Sequence, residues 1–328
     1  MSLKTPVTLL FFFIGALFGT ALGAEDLKVY FKTSPRLELL RPFADPIDLS
    51  LLITGADGRP VKQGSVAVRL GAPAPGRFFS TDFPLVEGTL LNEMRLPLRQ
   101  GKVNWKYLFP IRGEYRLAVD VVADDGRKVS KAFSFKVREN RKKWLTLAAF
   151  SAGLFVLGFA AGRIFTGTTG KKTASMIAVV LLAGTTAILN AQPDGAAGPA
   201  GLEIEPATVG KPSLVRWGLT SAGEASRTGF LTLTITHLEK QKVVFSVEKV
   251  PVAGEWSMKF HFPDGAEYRV AAVAQVPGEE PIRYQQLVSV TGVEPPVKAM
   301  VPALSYFVAV IALGLGAGRW SKRRAAAR

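Results

Sequence analysis

Cysteine is absent from this chain of 328 residues, and histidine occurs only twice. The first absence excludes a disulfide framework, a thiolate zinc site, an iron–sulfur cluster and a thiol nucleophile, so packing alone must hold the fold. The second leaves almost no imidazole for acid–base work, and the first half of the sequence has none. HExxH, GxSxG and glycine-rich phosphate loops are missing as well. No catalytic or cofactor-binding residue is therefore assigned, and the chain reads as a non-enzyme. Acidic residues are scarce beside basic ones, 26 against 41, for a net charge of +15. Apolar residues are plentiful at 48%. The length predicts about two domains.

Much of the apolar content lies in four runs. Val7 to Leu22 follows Lys4 and ends in Ala21-Leu22-Gly23, with small residues at the −3 and −1 places of a signal-peptidase site. It predicts an export signal over 1–23, with an uncleaved anchor as the alternative. Trp144 to Gly162 and Ala299 to Gly318 carry no charge over 19 or 20 residues. At 1.5 Å per residue each reaches about 30 Å, a bilayer core, so membrane helices are expected at 144–165 and 299–318. A shorter run at 176–191, after Lys171 and Lys172, is a further, signal-like span.

Flanking cations orient these spans. Arg163, Lys171 and Lys172 mark 166–175 as a cytoplasmic loop, and Arg319, Lys322, Arg323, Arg324 and Arg328 mark 319–328 as a basic cytoplasmic tail. Segments 24–143 and 192–298 then lie outside a bacterial inner membrane, in the periplasm. Arg138, Arg141, Lys142 and Lys143 stand against the rule, as a basic cluster just outside the first span. The positive charge is mostly topology, so no nucleic-acid partner is expected.

Both exported segments read as all-β. Leu49 to Thr54 runs into Ala56-Asp57-Gly58, Tyr115 to Val121 alternates before Asp125-Gly126, and Leu231 to His237 alternates apolar residues with threonine. These patterns predict two immunoglobulin-like β-sandwiches, 24–143 and 192–298, plus transmembrane α-helices. The halves also repeat each other. Trp105, Phe109-Pro110 and Tyr115 align with Trp256, Phe262-Pro263 and Tyr268, and Leu157 to Arg163 aligns with Leu313 to Arg319. The Phe-Pro and Tyr-Arg anchors are offset by 153 residues and the Gly-Arg anchors by 156. Duplication of a signal–sandwich–helix unit follows. In Asp264-Gly-Ala-Glu-Tyr268 the spacing resembles the tyrosine corner of immunoglobulin sandwiches, whose hydroxyl bonds backbone a few residues upstream.

The stretches Gly210 to His237, Phe262 to Tyr268, Ala56 to Val61 and Gly113 to Tyr115 resemble the YtkA-like and FixH-like exported β-sandwiches. That resemblance implies membrane-associated periplasmic modules, some linked to copper handling or oxidase assembly. Copper ligands would then be His237, His261 and Met258, since imidazole and thioether suit that metal. Strand parity weighs against the set. Trp256, Met258, Phe260 and Phe262 share one face while His261 points away with Lys259, and His237 continues the apolar face of Leu231, Leu233 and Ile235. Gly55 takes the place related to His237 in the first half, so no metal site is duplicated. Ordinary sandwich histidines, and no cofactor, are the expectation.

Membrane packing is better supported. Gly158 with Gly162, and Gly314 with Gly318, are GxxxG steps on apolar helices, which let two backbones approach closely, within the chain or by self-association. The expected function is a membrane-anchored scaffold presenting two sandwiches to envelope partners. A copper-handling or oxidase-assembly accessory protein and an uncharacterised hydrolase are the alternatives.

Overall fold

The computed structural model describes residues 27–76, 79–165, 201–218 and 228–327. The expected signal at 1–23, the loop at 166–175 and the span at 176–191 lie outside these residues. The described chain is mostly antiparallel sheet, as period-two burial dictates. In β1 (Leu27–Ser34), β2 (Ile47–Gly55), β3 (Gln63–Gly71), β4 (Leu90–Arg99), β5 (Lys102–Tyr107), β6 (Gly113–Ala123) and β7 (Lys128–Val137), alternate side chains turn inward. The pairings run β1–β2–β5 and β4–β3–β6–β7.

The second half repeats this scheme with β8 (Leu202–Ile204), β9 (Ser213–Gly218), β10 (Thr228–His237), β11 (Lys242–Ala253), β12 (Glu255–Phe260), β13 (Glu267–Gln275) and β14 (Ile282–Ser289). Here β8–β9–β12 and β11–β10–β13–β14 are paired. Strand for strand, the order is that of the first half.

The halves are stitched together through their sheets. Tyr107 of β5 pairs with Phe245 of β11, and Phe260 of β12 pairs with Asn92 of β4. A shift of 153 residues turns Tyr107 into Phe260, and the reverse shift turns Phe245 into Asn92, so the two seams are one contact made twice. This is the isologous geometry of a two-fold dimer, here within one chain. Each three-stranded sheet thereby continues into the four-stranded sheet of the other half, and four strand edges that would otherwise be open are covered. The self-matched residues meet at the centre, where the rings of Tyr107 and Phe260 lie 6.4 Å apart and Phe245 packs on Phe260 at 5.7 Å. Asn92, 2% exposed, replaces that phenylalanine in the other seam, and its side-chain amide has no hydrogen-bond partner among the described residues.

The seams also correct one alignment. Trp105 faces Val247 and Met258 faces Met94, so Met258, not Trp256, stands where Trp105 does. Aligning the tryptophans slips the repeat by two residues, which keeps a strand's face and therefore leaves no trace in the hydropathy pattern. Trp256 instead sends its indole N–H to the Arg95 carbonyl in the first half, at 3.0 Å.

Two helices complete the described chain. α1 (Arg141–Ile164) begins at an Asn140 cap, whose side chain accepts the Lys142 N–H. The sequence boundary of 143/144 is therefore moved back by three residues, because a capping side chain starts the helix and hydropathy does not. α2 (Val297–Ala326) starts two residues before 299 and runs on through the basic residues 319–326, expected as a separate tail. Lysine, arginine and alanine are good helix formers, and cations suit a helix C-terminus. Both helices are long and apolar enough to cross a membrane.

Candidate functional site at the foot of the sheets

α1 and α2 lie side by side with the same chain direction: Ser151 meets Tyr306 at 3.1 Å, Phe150 meets Phe307, and Gly162 meets Leu315 further along. The four glycines picked out by spacing form this contact and are the buried residues of both helices. A Cβ on Gly158 would fall 2.5 Å from the Ile311 carbonyl oxygen, and one on Gly314 would fall 2.4 Å from that of Phe155. Gly162 and Gly318 are equally close to Leu315 and Phe159. Backbone atoms cannot rotate away, so only glycine permits this approach. The seam is thus made inside one chain, and it joins positions offset by 156, close to the shift of 153 that carries one sheet seam onto the other.

Above the seam the two-fold likeness ends. The link from β3 to β4 spans residues 72–89, whereas its counterpart from β10 to β11 is the turn 238–241. The long link reaches down to the helices. Asp82 takes a hydrogen bond from the Lys143 ammonium, and Phe79 stands edge-on to Tyr306, 5.8 Å away. Between this link and the first turns of the helices is a cavity of about 510 Å³. Trp144, Leu147, Phe150 and Phe307 form its apolar wall, and charged groups form its rim. On the rim, Arg112 and Glu139 are bonded at 2.7 Å, while Lys143 pairs with Asp82 and, at 4.0 Å, with Glu139. Sequence reasoning missed this cavity. Its only local signals were the Pro/Gly-rich stretch Ala72 to Gly76 and the basic cluster before α1.

The proposed metal ligands have separate partners. His237 is fully buried; its Nδ1 accepts the Lys240 N–H at 3.3 Å, so its Nε2 donates to Asp264, 3.2 Å away. Asp264 also accepts from Lys240 and Tyr268. Burial pushes its carboxyl up, but these three donors outweigh burial and hold it below its ordinary value. His261, also fully buried, accepts the Gly210 N–H at Nε2 (3.0 Å) and therefore donates from Nδ1 to Thr89 Oγ1 (2.9 Å), whose hydroxyl passes on to the Val86 carbonyl. Burial pulls its pKa down to about 4, so the ring is neutral. Met258 lies in β12 opposite Met94. Every imidazole nitrogen is thus engaged in a hydrogen bond.

Two readings of the histidines change. Parity set His261 on an outward face with Lys259, but β12 ends at Phe260, and beyond it the chain turns His261 against the first half, where its N–H meets the Leu91 carbonyl. Gly55 is not the counterpart of His237. His237 sits opposite Tyr268, and the register of β3 with β6 brings Ala72 opposite Tyr115, while Gly55 ends β2.

The paired tyrosines Tyr115 and Tyr268 are both fully buried. Tyr115 makes the expected corner, accepting from the Ile111 N–H at 3.1 Å and donating to the Ile111 carbonyl at 2.6 Å. Tyr268 donates instead to the Asp264 side chain, the residue 153 after Ile111. Burial raises both phenols, and the Asp264 carboxylate adds to this for Tyr268.

No family model matches the chain, and no curated protein matches it. Among solved structures, Escherichia coli alpha-2-macroglobulin in its native conformation is similar over 81% of this chain at 9% identity, with a TM-score of 0.28. Dimeric latent PorU from Porphyromonas gingivalis is similar over 83% at 9% identity, with a TM-score of 0.26. A Ca²⁺-stabilized adhesin with which an Antarctic bacterium binds ice is similar over 82% at 10% identity, with a TM-score of 0.21. The chain spans 16%, 24% and 50% of these three proteins. Scores this low leave the YtkA-like and FixH-like resemblance without support, and what is shown is an antiparallel β protein bearing two apolar helices.

Proposed function

We propose that this chain is a non-enzymatic scaffold of the bacterial inner membrane, with two immunoglobulin-like sandwiches joined as one platform on the periplasmic side for other envelope proteins. The observation that carries this reading is the helix pair. α1 and α2 touch through small residues and turn large apolar side chains outward: Leu145, Leu157, Ile164 and Leu313 are each 68% to 71% exposed. Water does not tolerate such a surface over two helices of about 36 and 45 Å, whereas lipid covers it without cost. Because the helices are parallel, both leave the sheets in one direction, toward Arg163 and toward Arg319 to Arg324. Such an arrangement needs the chain to recross between them, a role the sequence offers to 176–191.

A scaffold reading also suits the histidines. His237 has the carboxylate partner of a general base, but its other nitrogen already holds a backbone N–H. Alkaline extraction of membranes and reporter fusions test the proposal. Full-length protein is expected in the membrane pellet, with a periplasmic reporter active in the 276–281 turn and a cytoplasmic one active after Arg328. Protein released into detergent-free buffer, or a cytoplasmic signal from the turn, would overturn it.

A further inference from the structure

The cavity beneath the 72–89 link has an uneven charge. Arg112 is matched by Glu139, and Lys143 by Asp82 and Glu139, but the Lys142 ammonium has no side-chain partner among the described residues. One uncompensated cation thus stands on the lip of an apolar chamber. Both come from the first turns of α1: Lys142 and Lys143 on the lip, then Trp144, Leu147 and Phe150 on the wall. In a helix read as a span, that change from ammonium to aromatic to aliphatic is the change from headgroup to acyl layer.

We propose that this cavity holds one anionic phospholipid, its phosphate at Lys142 and an acyl chain along Leu147, Phe150 and Phe307. The inference rests on reading α1 and α2 as membrane spans, and it names a ligand that reading does not supply. Charge decides the headgroup. A zwitterionic lipid brings its own cation to a lip that already carries one too many, whereas a phosphodiester with an uncharged alcohol neutralises it. The link that roofs the cavity is braced on the second half: Thr89 bonds His261, and Phe83 packs on Phe43 under the Lys240 ammonium. The roof is thereby tied to the platform.

Native mass spectrometry of the full chain, released from bilayers with equal phosphatidylglycerol and phosphatidylcholine, tests the site. One phosphatidylglycerol per chain is expected to survive, preferred by roughly fivefold, since each cation at a membrane surface is worth about 1 kcal/mol. Lys142→Glu should abolish the preference, and Leu147→Trp, which fills the wall, should lower retention of both lipids. Glycerol phosphate alone should displace nothing; displacement would mean that a free phosphate is the ligand and would overturn the lipid assignment. A photo-crosslinker at Phe79 should capture lipid, and capture of a protein would likewise overturn it. Membrane-bound protein with no lipid preference, or with one unchanged by Lys142→Glu, would remove the lipid site and leave the anchor standing. Protein that needs no membrane would remove both.

Discussion

The two halves share a frame and differ in what hangs from it. Seven strands pair in the same order in each, and the seams between them obey one shift of 153 residues. Yet Phe79, Ser80 and Asp82 of the first half, on the link between β3 and β4, roof a cavity, where the second half has only the turn 238–241. Conversely, both histidines and the Asp264 cluster belong to the second half. The common part is what a two-fold platform needs: apolar strand faces, open edges that find each other, and glycines where helices cross. The unequal parts are links and turns, where a chain can change without disturbing a core. The proposed lipid site accordingly lies in an unequal part.

The largest test attacks the frame itself. If the helix seam is two-fold, Gly158→Leu with Gly162→Leu and Gly314→Leu with Gly318→Leu should fail equally. Each added side chain meets backbone closer than 3 Å, and at roughly 2 kcal/mol per overpacked site each double variant loses about 4 kcal/mol of helix association. Cross-linking between cysteines placed at Ser151 and Phe307 should fall at least a hundredfold in both. A large drop in one and none in the other would break the two-fold comparison, and unchanged cross-linking in both would remove the seam.

A smaller effect probes what only the second half has. The folded protein keeps His261 neutral down to about pH 4, while the unfolded ring takes up a proton near 6.5. Stability from this ring is therefore present above pH 6.5 and lost as pH falls toward 4, by about 3 kcal/mol in total. Thermal unfolding of the full chain in detergent, followed from pH 7 to 4.5, should show that slope, and His261→Gln should flatten it relative to the parent. Equal slopes in the two proteins would mean the ring does not hold the 72–89 link to Gly210 in the way described.

These contrasts bear on what was readable in advance. The antiparallel β character and the two long apolar helices were legible, because period-two alternation and uncharged runs are local patterns. The seams were not. Nothing in the strand LLNEMRLPLR marks it as an edge that will meet EWSMKF of the other half, since pairing partners are chosen in three dimensions. His261 was misread because parity ends where β12 ends, and Trp256 because a two-residue slip leaves the face of a strand unchanged. The cavity was hidden for a related reason. Its wall comes from α1 and α2, its rim from Arg112 and Glu139, and its roof from the 72–89 link, so no window of sequence contains it.

The finest comparison sets Tyr115 against Tyr268, the same position solved in two ways. Ile111 has no side-chain acceptor, so Tyr115 satisfies both the N–H and the carbonyl of that buried residue. Asp264 offers a carboxylate, and Tyr268 uses it, but His237 and Lys240 use it too. Removing the first hydroxyl strands two buried backbone groups, whereas removing the second leaves an acceptor that keeps two of its three donors. Tyr115→Phe should therefore cost about 2 kcal/mol and Tyr268→Phe about 1. Denaturant midpoints at a shared slope would measure the gap, and a cost for Tyr268→Phe equal to or above that of Tyr115→Phe would show that the Asp264 cluster acts as one cooperative unit in which no donor is spare.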